Sequence, residues 1–72
     1  MKVMMQTLGQ KIRELREEKG WTQPQLASFV GVSNGVISFW ENDVNEPTAS
    51  HIVKLCEAFE ISADYLLNLS QN

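Results

Sequence analysis

Few side chains in this sequence are of a kind that does covalent or metal chemistry. One histidine, His51, and one cysteine, Cys56, stand five positions apart. On a helix that separation puts them on different faces, so they do not make a metal pair. Cys56 falls on the apolar side of its segment and reads as a buried, inert thiol rather than a nucleophile. With no second cysteine, an intramolecular disulfide and a cysteine-rich zinc site are both excluded. Glu14, Glu17 and Glu18 cluster, but Lys11 and Arg13 accompany them, which describes a solvated helix face rather than an acid/base pair. No phosphate loop occurs, and 72 residues are too few to build a substrate cleft. The chain is therefore expected not to be an enzyme and to need no metal or cofactor. What remains is recognition, and residues 23–42 are the sharpest candidate for it.

The elements that must position this segment are helical. Leu8, Ile12 and Leu15 recur at i, i+4 and i+7, with Lys11, Arg13, Glu14, Glu17 and Glu18 mostly on the other sides, and Gly20 follows as a C-terminal glycine. Thr22 and Gln25 form a capping box, with Trp21 and Leu26 in the staple positions and Pro24 tolerated in the first turn. That second helix runs to Val30. Gly31 can take the positive φ of a sharp turn, and Ala27, four residues earlier, lets a steeply crossing helix approach. Ser33 caps a third helix through about Asn42, Thr48 a fourth with Ile52, Leu55, Cys56 and Phe59, and Ser62 a short fifth from Ala63 to about Asn68. No segment alternates as a strand would. Leu26, Val30, Val32, Ile37 and Trp40 face inward, whereas Asn34, Gly35, Ser38 and Phe39 face outward. Val36 and Phe39, three apart, are expected to form an exposed apolar spot, and Trp21 and Trp40 to belong to the core.

The run Gln23-Pro24-Gln25-Leu26-Ala27-Ser28-Phe29-Val30-Gly31-Val32-Ser33-Asn34-Gly35-Val36-Ile37-Ser38-Phe39-Trp40-Glu41-Asn42 resembles the helix-turn-helix of the Cro/CI-type (XRE-like) DNA-binding domains. Ile12-Arg13-Glu14-Leu15-Arg16 resembles the family's first helix, and Glu46-Pro47 through Ser62-Ala63-Asp64-Tyr65-Leu66-Leu67 its last two. The likeness covers roughly residues 7–68 of a single domain spanning 1–72. It implies an all-α, compact five-helix, phage-repressor-like fold that binds double-stranded DNA with the helix from Ser33 in the major groove. Asn34, Gly35 and Phe39 then match base-reading positions, with Ser33 and Ser38 beside them. Gln23, Asn42 and Asn45 match backbone-contacting positions, and free N–H groups at the start of the second helix suit a phosphate. The resemblance also sets Arg16 against Glu41. A glutamate in the last turn opposes the helix dipole, so a cationic partner there is expected on physical grounds as well.

Charge limits how such a domain binds. The net charge is −3, with +2 over residues 1–20, −3 over 21–53, where no Lys or Arg occurs, and −2 over 54–72. A polyanion must be met by the first helix, which makes Lys11 and Arg13 candidate phosphate contacts. Asn34 can pair with adenine N6 and N7, Phe39 can pack on a thymine methyl or a sugar, and Gly35 reads nothing by hydrogen bond. Binding is expected to lean on DNA shape and A·T content. A single domain so poor in cations should bind weakly, which argues for a homodimer on an inverted repeat, joined near the C-terminal end through Leu67 and Leu69. The expected role is a repressor-like transcriptional regulator in the cytoplasm. Its alternative is a protein-interaction or antitoxin-type domain in which the acidic residues around Asp43 and Glu46 and the apolar Phe39 meet a protein partner. No apolar run is long enough to span a membrane, and the one in residues 1–5 is too short for a signal peptide.

Overall fold

Residues 6–69 are described by the computed structural model; residues 1–5, and the signal-peptide reading that concerned them, lie outside. Among the described residues the chain forms five helices and no strand: α1 Leu8–Glu18, α2 Gln23–Val30, α3 Asn34–Glu41, α4 Ala49–Phe59 and α5 Ala63–Leu66. Four of them start on a hydroxyl. Thr7, Thr22, Thr48 and Ser62 adopt extended backbone and accept the N–H of Gln10, Gln25, His51 and Tyr65, satisfying a donor that the first helical turn leaves without a partner. At Thr7 and Thr22 the glutamine side chain also reaches back to the cap N–H, completing a capping box. Ser33 differs from expectation. It holds the cap position of α3, but its hydroxyl makes no capping bond.

Each helix ends in a bond from an N–H to the carbonyl five residues back: Trp21 to Arg16, Val32 to Ala27, Val44 to Phe39, Ile61 to Cys56 and Leu69 to Asp64. The left-handed residue that makes this wrap possible is glycine twice, at Gly20 and Gly31. Asp43, Glu60 and Asn68 take it with φ near 60°. The turn at Asn68 also explains why α5 stops at Leu66 rather than continuing to Asn68. Gly31 closes α2 at φ 84°, as the sharp turn into α3 requires.

Ile12, Leu26, Ile37, Leu55 and Leu66, one from each helix, are fully buried. Each such side chain is worth about 1.5–3 kcal/mol of burial. α2 packs on α3 and α4, α1 on α3 and α5, and α4 on α5, so the two helices of the central motif are braced from opposite sides. Trp40 is in the core and tilts against His51. Trp21 is half-buried, stacked between Phe29 at 4.5 Å and Phe59 at 6.0 Å. The expected apolar spot shrinks to Phe39, because Val36 is half-buried against the core. No helix among the described residues is long and apolar enough to cross a membrane.

Candidate nucleic-acid interface

α3 is anchored by one buried network. Glu41, in its last turn, accepts Arg16 Nε at 2.6 Å and Nη2 at 3.1 Å in a two-pronged pair, and Gln23 Nε2 at 3.1 Å. Arg16 Nη1 also donates to the Trp21 carbonyl at 2.7 Å. The two charged side chains retain 12% and 3% of their exposure, so the pair is largely withdrawn from water. The hydrogen-bonded Glu41 carboxylate pushes the Arg16 pKa still further up, against a smaller opposing effect of burial. Helices α1, α2 and α3 thus meet at one carboxylate, which sets the angle between the two helices of the motif.

A second tie escaped sequence reading. The alternative reading offers the acidic residues around Asp43 to a protein partner, and Asp43 is exposed, but it is not idle. Its carboxylate accepts Thr7 Oγ1 at 2.6 Å and the Gly9 N–H at 3.0 Å, capping α1 from across the fold. Gly9 makes this approach possible, because a Cβ there would press on the Trp40 carbonyl and lie 2.7 Å from Asp43 Oδ1. A lone aspartate in the turn after a helix, between Asn42 and Val44, carries no signal of such a contact. Only the meeting of α1 with the end of α3 creates it.

Along α3, Asn34, Gly35 and Phe39 are exposed and Ser38 is half-buried, with exposed Ser33 just before them. Phe39 keeps 50% of its surface. At the start of α2 the open donor is the Gln23 N–H, since Pro24 has none and the Gln25 N–H is taken by Thr22. The Gln23 side chain leans on Glu41, beside Arg16. Asn42 folds back, its amide donating to the Ser38 carbonyl at 2.9 Å, and Asn45 is exposed. Arg13 is exposed and paired with Glu17 at 3.2 Å along α1.

Lys11 requires a correction. It does not lie on a solvated side of α1; it is 8% exposed, and its ammonium sits 3.9 Å from the centre of the Tyr65 ring on α5. The attraction of the ring face, with the alkyl stem buried along the helix, accounts for this placement. A phosphate contact from Lys11 would require breaking it. Leu67 and Leu69 are exposed at the end of the described chain, while Leu66 is in the core. Cys56 is half-buried on α4, and burial raises its thiol pKa. No three His, Cys, Asp or Glu residues among the described ones come together as a metal site.

Two packed helices joined by a left-handed glycine turn, locked by a buried ion pair to a preceding helix and braced by two following helices, define a helix-turn-helix domain. The helix-turn-helix family model matches residues 12–66, and the chain belongs to that family, in its Cro/CI (XRE-like) type. Repressor protein C2 of Salmonella phage P22 is 41% identical over 68 residues, covering 92% of this chain and 32% of that protein. The HTH-type transcriptional regulator ImmR of Bacillus subtilis (strain 168) is 33% identical over 61 residues, covering 85% of this chain and 48% of that protein. The chain thus spans half or less of these two relatives. The crystal structure of the P22 c2 repressor in complex with a synthetic operator superposes with a TM-score of 0.86 at 38% identity, covering 92% of this chain and all of that one.

Proposed function

We propose that this chain is the DNA-binding part of a repressor-like transcriptional regulator that acts in the cytoplasm and lays α3 in the major groove. The observation that carries the reading is the outward face of α3. Ser33, Asn34, Gly35 and Phe39 are exposed on a helix whose opposite side is locked in place, and the Ser33 hydroxyl is not spent on capping. A rigid helix with its polar and apolar contact groups unspent is what reading base edges requires. The similarity to a repressor crystallised on its operator supports the same use. Gln23, with its N–H at the start of α2, is placed for a phosphate. Asn42 and Asn45 follow α3 as further backbone contacts, and Arg13 is the α1 cation open to solvent that joins them. Two copies, joined through the exposed Leu67 and Leu69, would fill an inverted repeat.

The test is selection of bound sites from a random duplex pool, followed by a salt titration on the recovered duplex. Salt-dependent binding to an A·T-containing inverted repeat is expected, with a shallow slope because residues 21–53 contain no Lys or Arg. Failure to recover any duplex at low salt refutes the reading. Leu67→Asp combined with Leu69→Asp should abolish cooperative filling of the two half-sites, and unchanged cooperativity would place the interface elsewhere.

A further inference from the structure

Gly35 is a residue that the fold does not need. It lies in the first turn of α3, its φ is not positive, and a Cβ built there meets nothing within 4 Å. Glycine is also among the poorest helix formers, so any ordinary side chain would serve the isolated domain better. This contrasts with Gly9, where neighbouring backbone forbids a side chain, and with Gly20 and Gly31, where the backbone is left-handed.

The surroundings show what the missing side chain leaves behind. Phe39 is four residues on, so it stands on the same helix face one turn above, and side chains on a helix lean toward the N-terminal turn. The Phe39 ring nevertheless stays more than 4 Å from the Cβ position of residue 35. The position is therefore open: helix backbone is left uncovered at residue 35 with the half-exposed Phe39 one turn above it, which makes a small notch in that face. Neither residue supplies a hydrogen-bond donor or a charge to it from a side chain. Asn34, the residue before Gly35, is exposed as well.

We propose that this notch is a thymine-methyl site: Gly35 admits the 5-methyl group of one thymine against the α3 backbone, with the Phe39 ring covering its side, while Asn34 reads the neighbouring pair. The proposal rests on the reading of α3 as the helix in the major groove, where the thymine methyl is the one apolar group that a base pair presents. A glycine that reads nothing by hydrogen bond thereby becomes a specificity determinant, by exclusion of larger side chains rather than by contact. Its cost in helix stability is offset only in the complex.

The experiment moves one methyl group between the partners. The probe is the duplex recovered by selection, resynthesised with deoxyuridine in place of each thymidine in turn, which removes the methyl and leaves the pairing edge unchanged. For the unmodified chain, one substitution per half-site should weaken binding about fourfold, the value of one buried carbon. Gly35→Ala places a methyl in the notch from the protein side. It should melt at or above the temperature of the unmodified chain, bind the thymidine duplex more weakly, and prefer deoxyuridine at that same position. Phe39→Ala should reduce the thymidine preference there without changing the salt slope. The proposal is overturned if no single deoxyuridine weakens binding, if Gly35→Ala keeps the same thymidine preference at every position, or if Gly35→Ala is less stable than the unmodified chain. Failure to recover a duplex at all would count instead against the reading of α3 on which the notch depends.

Discussion

Removing Arg16 should be the most damaging single truncation in the buried network, and more damaging than removing its partner. Glu41 keeps 3% of its side-chain exposure and accepts three hydrogen bonds, two of them from Arg16. In Arg16→Ala the carboxylate is left in the interior with Gln23 alone, and the Trp21 carbonyl loses its donor as well. A buried charge stripped of its partner costs about 3–5 kcal/mol. A chain of this length is expected to be stable by only about 4–11 kcal/mol in all, at 0.05–0.15 kcal/mol per residue. The unfolding entropy of such a domain makes 3 kcal/mol about 20 °C in Tm. In Glu41→Ala the guanidinium keeps the Trp21 carbonyl and is already 12% exposed, so water reaches it and the cost should be smaller. The double variant Arg16→Met with Glu41→Leu should be more stable than either alanine variant, because no charge is left inside. Urea denaturation of the unmodified chain, the two alanine variants and the Arg16→Ala/Glu41→Ala double variant forms the cycle. A coupling energy below about 0.5 kcal/mol, or an Arg16→Ala cost no larger than that of Glu41→Ala, refutes the argument.

Three further outcomes follow from single positions. Gly9→Ala should lose about 1–3 kcal/mol, since the Trp40 carbonyl must move to admit the methyl; unchanged thermal stability would mean that α1 and α3 are not this close. Glu60→Gly should gain up to about 1 kcal/mol by relieving a left-handed backbone that only glycine adopts freely, a gain that urea denaturation should resolve. Cys56 has its thiol pKa raised by burial, so its thiolate fraction near pH 8 is below that of a free cysteine. Alkylation should therefore be slow there and accelerate only as pH rises through the elevated value, and a rate matching free cysteine at pH 8 would contradict the burial.

Local rules determined the elements. Thr22 with Gln25, Thr48 and Ser62 start helices because their side chains can satisfy nearby N–H groups, and Gly20 and Gly31 end them because the backbone must turn left-handed there. All of these interactions lie within a few residues along the chain, so residue order suffices to specify them. The apolar spacing likewise selected Ile12, Leu26, Ile37, Leu55 and Leu66 for the interior. The outward face of α3 followed, because a helix with one side buried has its other side defined. What lay beyond sequence was every contact between residues far apart in the chain. Asp43 looked like a surface acid until α1 arrived beneath it, and Lys11 looked solvated until α5 laid Tyr65 across its ammonium. The Asn68 turn shortened α5, and the Phe39 ring stood clear of Gly35. In each case the side chain's chemistry was already present, but its partner was chosen by how the helices pack, which is a property of the assembled core and not of any local stretch.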